Sequence, residues 1–321
     1  MSRPSIGLMF FRTYPPETLP DYARMIEQSG LDELWVVEDC FFNGGVSAAS
    51  VALAVTERIQ VGIGILPAVV RNAAYAAMDL ATLARIFPGR LHVGLGHGVA
   101  DWIRQVGQVP VSQMAALEEV TVAIRDILQG QTVTMSGKHV HLDKVRLDHP
   151  PTVVPPISLG VTGPKSLALS GRIADGTILV ELTGPALVCR NREVIAGGAD
   201  HQLTIFAYWS QDADGVAARD RLRRMLAERI RNEGLKELDA PGFADHAREL
   251  LERGGVDLLA REMPDAWLDE ITVSGTPEQC LAAIQRLGDA SAARVVLVPP
   301  SDATIQDLTP WCRDLAAANQ T

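Results

Sequence analysis

The stretch Ile157-Ser158-Leu159-Gly160-Val161-Thr162-Gly163-Pro164-Lys165-Ser166-Leu167, which continues to Gly171-Arg172-Ile173-Ala174-Asp175-Gly176, joins an apolar run to a helical pattern through a glycine-containing turn. A strand therefore brings its C-terminal end to a turn that starts a helix. Free backbone N–H groups and the positive end of the helix dipole meet at such a turn, and both favour a bound phosphate. Turns of this kind also occur without a ligand, so the function of this one depends on its surroundings.

Short runs rich in Val, Ile and Leu at successive positions recur eight times along the chain. This pattern is typical of strands buried on both faces, as in parallel sheets. The runs are Ile6–Phe10, Leu34–Val37, Val61–Ile65, Leu91–Leu95, Ile157–Leu159, Thr177–Val180, Leu203–Trp209 and Val295–Val298. Helical patterns separate most of them, at Leu19–Gln28, Ser47–Thr56, Arg71–Ile86, Met114–Gln129, Ser166–Arg172 and Val216–Arg231. This alternation predicts an α/β fold, a (β/α)₈ TIM barrel, with a doubly wound open sheet as the main alternative.

Two long spacings interrupt the alternation, and we interpret both as additions to a single barrel domain over residues 1–321. Alternating residues on both sides of Ser136-Gly137 predict a hairpin in an inserted segment at about residues 130–150. A mostly helical excursion occupies about residues 212–290. Within it, Thr276-Pro277-Glu278 is typical of a helix start, with Thr as the N-cap and Pro at the first helical position.

The overall charge of the chain excludes some classes of partner. A formal net charge of −10 argues against a surface for nucleic acid or for an anionic membrane. No apolar run approaches the roughly 18 residues of a membrane span, and the N-terminus shows no signal-peptide pattern. The four cysteines are far apart and form no metal-binding or disulfide spacing: Cys40, Cys189, Cys280 and Cys312. We expect a cytoplasmic protein.

Polar residues and glycines cluster directly after the predicted strands. The active sites of TIM barrels form at the C-terminal ends of the strands, so these residues are the candidates for ligand binding. They are Glu38 to Phe42 after the second run, Gly64 to Pro67 after the third, Gly96 to Trp102 after the fourth, and Val161 to Pro164 after the fifth.

The segments Val61–Gly98 and Gly160–Gly176 resemble the luciferase-like oxidoreductases, in particular their F420-dependent branch, which includes the methylene-tetrahydromethanopterin reductases. The resemblance implies a barrel that binds the deazaflavin F420 or, alternatively, FMN. It also implies a non-prolyl cis peptide between Gly64 and Ile65, whose bulge supports the cofactor ring, and a phosphate bound by the backbone after the fifth run. The cofactor-binding residues that it implies are Asp39, Gly64, Ile65, Gly96, His97, Gly98, Val161, Thr162, Gly163 and Pro164.

His97 is the candidate catalytic residue. It lies between two glycines, and its ordinary pKa near 6.5 suits proton transfer, although a histidine at the rim of the site is an equal alternative. His139 and His141 have a spacing that could bind a metal, but no third ligand is evident and we predict no metal. The residues predicted to line an apolar substrate pocket are Phe10, Cys40, Phe41, Phe42 and Trp102. Acidic neighbours disfavour a Cys40 thiolate, so we assign it no nucleophilic role.

The chain departs from the family in its first strand, where the methylene-tetrahydromethanopterin reductases carry an acidic residue and this chain reads Leu8-Met9-Phe10, and at two further positions. The relatives that oxidise sugar phosphates carry His where this chain has Cys40 and Glu where it has Val99, so that reaction is not expected. The resemblance therefore predicts an enzyme that transfers a hydride between F420 and a small organic substrate. An FMN-dependent monooxygenase and a barrel that binds the cofactor without turnover remain as alternatives. Family members are commonly dimers, which makes a homodimer possible.

Overall fold

The computed structural model describes residues 3–319 and shows parallel strands closed into a barrel. In chain order the strands are β1 (Ser5–Met9), β2 (Glu33–Val36), β3 (Gln60–Pro67), β4 (Leu91–Gly96), β5 (Val133–Ser136), β6 (His141–Val145), β7 (Ile157–Gly160), β8 (Gly176–Leu179), β9 (Gln202–Gln211), β10 (Val273–Gly275) and β11 (Ala292–Val298). Eight of them pair in parallel in the closed order β1-β2-β3-β4-β7-β8-β9-β11, and β11 returns to β1. These eight coincide with the eight predicted runs, and the closure confirms the predicted TIM barrel and excludes the open sheet.

Helices surround the barrel. They are α1 (Leu19–Ser29), α2 (Gly45–Ala54), α3 (Ala73–Ile86), α4 (Ala100–Gln105), α5 (Gln113–Leu128), α6 (Pro164–Ile173), α7 (Pro185–Ile195), α8 (Gly215–Arg229), α9 (Ala244–Glu262), α10 (Asp265–Ile271), α11 (Pro277–Asp289) and α12 (Ile305–Ala318). The six predicted helical patterns correspond to α1, α2, α3, α5, α6 and α8. Within residues 3–319, no helix combines the length and the apolar character that a membrane crossing requires.

Two elements stand apart from the barrel strands. Strands β5 and β6 pair antiparallel, with Met135 opposite Leu142, and form a hairpin at the predicted position. Between β9 and β11, helices α8, α9 and α10 pack around a separate apolar cluster that includes Leu226, Leu250 and Leu268. The start of α11 is a capping box, as the Thr-Pro pattern suggested: the Gln279 N–H donates to Thr276 Oγ1, and the Gln279 side chain accepts from the Thr276 N–H.

The interior of the barrel is filled by large side chains, and this positions the site above them. Trp35 is fully buried and meets Phe206 edge to face, with ring centroids 5.6 Å apart. Trp35 Nε1 donates to the Glu33 carboxylate at 2.7 Å, and Arg294 pairs with the same carboxylate at 3.1 Å. Because the centre is closed by these side chains, a ligand can enter only at the rim formed by the loops.

Candidate active site

A cleft of about 300 Å³ opens at the C-terminal ends of the strands, within the size range of small-molecule sites. Its walls come from the end of β3 and from the segments that follow β2, β4, β7 and β8. The structure brings together there nine of the predicted site residues: Asp39, Cys40, Ile65, His97, Gly98, Trp102, Val161, Thr162 and Gly163. The other lining residues are Glu38, Pro67, Val99, Ile103, Gly160, Ser166 and Val180.

Ile65 forms the floor of the cleft. The peptide bond between Gly64 and Ile65 is cis, as predicted, and the bond between Cys40 and Phe41 is also cis, which the sequence did not suggest. The Ile65 side chain packs over Gly160 so closely that a Cβ atom at Gly160 would lie 2.5 Å from Ile65 Cγ2. Ile65 is partly exposed and therefore presents an apolar surface to whatever occupies the cleft.

The turn before α6 offers backbone donors. Within residues 3–319, the N–H groups of Thr162 and Gly163 donate to no protein acceptor, whereas the Val161 N–H already donates to the Ile178 carbonyl at 3.4 Å. A Cβ atom built at Gly163 would have no neighbour within 4 Å, so the turn borders open space. The first turn of α6 adds N–H groups that a helix leaves unpaired, together with the positive end of its dipole. These features fit a phosphate, with Thr162 and Gly163 as donors.

His97 lines the cleft beside this turn. Its Nε2 lies 3.2 Å from the Ser166 hydroxyl in the first turn of α6, and that hydroxyl also lies 3.2 Å from Met114 Sδ. Burial lowers the pKa of His97 below its ordinary value of 6.5. The imidazole is therefore mainly neutral at pH 7, a form that can orient a neighbour by hydrogen bonding.

The loop after β2 is held by two ion pairs. The nearly buried Glu38 carboxylate forms a bidentate pair with Arg71 and also accepts from the Gly45 N–H at 2.7 Å. Arg12 pairs with Asp39 at 3.0 Å. Burial first, then the charges of Glu38 and Asp39, raise the pKa of the Cys40 thiol, which agrees with the absence of a nucleophilic role for it.

Several predicted residues lie outside the cleft. Phe10, predicted to line the substrate pocket, is 2% exposed and packs against Tyr14 and Tyr22, because it points outward from the barrel to α1. Phe41 and Phe42 are predominantly exposed, and the Arg12 guanidinium lies over the Phe42 ring.

The remaining three predicted residues lie behind the residues that line the cleft or next to them. Gly96 lies beneath Ile65, and a Cβ atom there would be 3.0 Å from Ile65 Cδ1. Gly64 faces Phe206 in the barrel interior. Pro164 begins α6 next to the cleft but is not part of its lining.

Sequence reasoning missed a polar group at the barrel mouth. Glu181 directly follows the lining residue Val180, and burial raises the pKa of its carboxyl. Tyr208 of β9 interacts electrostatically with Glu181, and burial raises the pKa of its phenol as well. The only available signal was the position of Glu181 at the end of a predicted strand, with no motif around it.

His139 and His141, whose spacing could bind a metal, have no third ligand near them among the described side chains. Among the side chains that the structure describes, which within residues 3–319 exclude that of residue 233, no group of three or more His, Cys, Asp or Glu is placed to hold a metal ion. His139 instead accepts a hydrogen bond from the Ser112 N–H at 3.3 Å, which anchors the hairpin to the start of α5.

Comparisons with known proteins agree with this architecture. The sequence profile described as luciferase-like monooxygenase matches residues 9–294. The chain is 27% identical over 310 residues to the 5,10-methylenetetrahydromethanopterin reductase of Methanolobus tindarius, covering 92% of this chain and 94% of that protein. It is 27% identical over 324 residues to the F420-dependent glucose-6-phosphate dehydrogenase of Kineococcus radiotolerans, covering 94% and 93%.

A solved structure shows the same fold. The coenzyme F420-dependent tetrahydromethanopterin reductase of Methanopyrus kandleri matches with a TM-score of 0.80 at 18% identity, covering 98% of both chains. Because the family profile spans most of the chain, the resemblance stated from the sequence is confirmed, and the chain belongs to the luciferase-like monooxygenase family.

Proposed function

We propose that the chain is an F420-dependent oxidoreductase that transfers a hydride between the deazaflavin and a small organic substrate. The observation that carries the proposal is the continuity of one cleft, in which the apolar surface of Ile65 adjoins the free N–H groups of Thr162 and Gly163. A flat ring joined to a phosphate requires this pairing of an apolar floor with an anion site. The F420-dependent names of relatives and of a structural neighbour support the same cofactor.

Each wall of the cleft has a task in this function. Ile65 would support the ring, and Thr162 and Gly163 would bind the phosphate through their N–H groups. The local field at the start of α6 offsets the net charge of −10, which otherwise repels an anionic cofactor. When bound, F420 supplies the carbon that accepts or donates the hydride, and the protein places the substrate and excludes water.

The substrate differs from a sugar phosphate in this proposal. Cys40 and Val99 both line the cleft, at the positions where the sugar-phosphate-oxidising relatives carry the His and Glu that transfer protons. The thiol of Cys40 has a raised pKa, and Val99 has no ionisable group. The cleft therefore favours a small molecule with an apolar part, which would contact Trp102 and Val180.

An assay of turnover tests the function against its alternatives. The enzyme is incubated without oxygen with reduced F420 and a panel of small ketones, aldehydes, imines and enones, and loss of the reduced cofactor is followed. Oxidation that depends on the added substrate is expected. Oxygen consumption with reduced FMN instead would show a monooxygenase, and tight F420 binding without any turnover would show a binding protein.

Three further expectations stay predictions. We propose one domain over residues 1–321, with an insertion at about 130–150 and a helical excursion at about 212–290. We propose a cytoplasmic location because the cysteines are spaced too far apart for disulfide or metal-binding motifs. We propose a homodimer because members of the family are commonly dimers.

A further inference from the structure

A second cavity lies where the inserted hairpin meets the barrel. It has a volume of about 200 Å³, and its walls come from the loop between β3 and α3, the loop between α4 and α5, α5 itself and the hairpin of β5 and β6. We call it the hairpin cavity, and its polar lining side chains are Arg71, Asn72, Gln108, His139 and His141. Segments from three separate parts of the chain therefore build one enclosed space.

The permanent charge in the lining of the hairpin cavity is positive. Arg71 contributes a guanidinium, and among the side chains that the structure describes no Asp or Glu lines this space. The nearby carboxylates are outside the lining: Glu38 pairs with Arg71, and Asp79 of α3 acts on Arg71 only through its charge. Glu119 accepts from three backbone N–H groups at the tip of the hairpin. In a chain of net charge −10, this lining suits an anion.

Arg71 has donors that the protein does not use. A guanidinium carries five N–H groups in a planar fork, and two of those of Arg71 bind the carboxylate of Glu38. The other N–H groups meet no acceptor in the part of the chain that the structure describes. Because the pair with Glu38 fixes the plane of the guanidinium and its side chain is 31% exposed, the free donors are held in place for a ligand.

His139 supplies a second donor from the opposite wall. Its Nε2 accepts a hydrogen bond from the Ser112 N–H at 3.3 Å, so the proton of the neutral ring is on Nδ1. The Nδ1–H group donates to no acceptor among the described residues. The half-buried ring is thus fixed by one nitrogen and can donate to an occupant of the hairpin cavity with the other.

The start of α3 adds donors from a third direction. The Asn72 Oδ1 atom accepts from the Ala74 N–H at 2.9 Å, which leaves the NH₂ group of Asn72 available. The N–H of Ala73, which also lines the hairpin cavity, donates to no protein backbone acceptor within residues 3–319. The positive end of the helix dipole lies at the same place.

We propose that the hairpin cavity binds a small oxyanion, a phosphate or a carboxylate group, through the Arg71 guanidinium, the Nδ1–H of His139 and the donors at the start of α3. None of these residues lines the cleft, so this site is separate from the turn before α6. A single ion pair joins the two spaces, since Glu38 lines the cleft and Arg71 lines the hairpin cavity. The inference goes beyond the proposed function and does not depend on the cofactor.

Calorimetric titration of the purified protein tests the proposal without F420. The probes are inorganic phosphate and succinate, at a constant ionic strength that is set with sodium chloride. At least one of them should bind saturably with a dissociation constant of about 1 mM or lower. The tighter of the two identifies the group that the site prefers, and a protein that binds neither contradicts the proposal.

Two nearly isosteric variants place a carboxylate in the hairpin cavity. Gln108→Glu changes an exposed lining residue, and Asn72→Asp keeps an equally good N-cap for α3. Each should weaken binding of the anion by at least tenfold through charge repulsion. Gln28→Glu makes the same change in net charge at an exposed position of α1, outside this cavity and the cleft, and should bind the anion like wild type.

The same titrations in a Gly163→Val background exclude binding at the turn before α6, which that side chain obstructs. Wild-type affinity in both Gln108→Glu and Asn72→Asp would contradict the proposal and assign the bound anion to another place. An equally large loss in Gln28→Glu would attribute the effect to net charge and would also contradict it. Circular dichroism checks the fold, and if one of the two cavity variants misfolds, the other decides.

Discussion

Nε2 of His97 lies 3.2 Å from the hydroxyl of Ser166, which connects the loop after β4 to the first turn of α6. The sequence left two roles for His97, proton transfer or a place at the rim. The contact with Ser166 and the lowered pKa favour an orienting role on the phosphate side of the cleft.

We therefore expect His97→Ala to weaken F420 binding by about 3- to 12-fold, the value of one hydrogen bond, with a small change in turnover at saturating cofactor. Ser166→Ala should have a similar effect, and the double variant should lose less than the product of the two. Fluorescence titration and steady-state kinetics provide the two measurements. A fall in turnover of 100-fold with an unchanged dissociation constant would instead identify His97 as the proton-transfer group.

Gly163→Val tests the phosphate site. The backbone at Gly163 has a φ of −76°, which Val can adopt, and apart from the adjacent residues of the chain no protein atom lies within 4 Å of the added Cβ. The variant should fold normally but place a side chain where the phosphate binds, weakening F420 binding by at least tenfold, or about 1.4 kcal/mol. Gly198→Val is the matched control, since Gly198 also borders open space in a distant loop. Equal affinities of wild type and Gly163→Val for F420 would show that the phosphate binds elsewhere.

Buried His92 predicts a dependence of stability on pH. It is 2% exposed, its Nε2 lies 2.8 Å from Ser158 Oγ, and burial, with the charge of Arg294, lowers its pKa to about 3. The pKa of this histidine is about 6.5 in the unfolded chain and about 3 in the folded protein. At pH values between these two, the unfolded chain binds the proton and the folded protein does not. The contribution of His92 is therefore complete above about pH 6.5 and is lost as the pH falls, by up to about 1.4 kcal/mol per pH unit.

His92→Gln can retain a hydrogen bond to Ser158 and should flatten this dependence. The free energy of unfolding is measured in urea at several pH values between about 4 and 7. His141→Gln, on the exposed face of the hairpin, is the control. Parallel pH profiles for wild type and His92→Gln would show that His92 is not the source of the acid sensitivity.

The barrel was predictable because its strands are buried on both faces. Successive residues such as Val61, Gly62 and Ile63 pack against other residues on the inner or the outer face of the barrel. The apolar run in the sequence is therefore continuous and differs clearly from the pattern of an amphipathic helix. Because the run is apolar throughout, the sequence does not show which side chains point into the barrel and which point outward. Phe10 was assigned to the pocket because the end of the first predicted strand is apolar, but it packs against Tyr22 of α1, and only the register of the barrel reveals this.

The candidate site was predictable only where short motifs form it. Ile65, His97, Thr162 and Gly163 lie in segments that resemble the family, and the structure places them in one cleft. Glu181 and Tyr208 belong to no motif and are 27 positions apart in the chain. They come near each other only when β8 and β9 pair, because that pairing sets Leu179, two residues before Glu181, opposite Ile205, three residues before Tyr208.

The identity of the cofactor is the central claim. Titration of the purified protein with F420 and with FMN, under the same buffer and salt, measures it most directly. We expect F420 to bind more tightly than FMN, because Ile65 and the Thr162–Gly163 turn belong to the segments that resemble the F420-dependent branch. FMN binding that is tighter by tenfold or more, about 1.4 kcal/mol, would contradict the account.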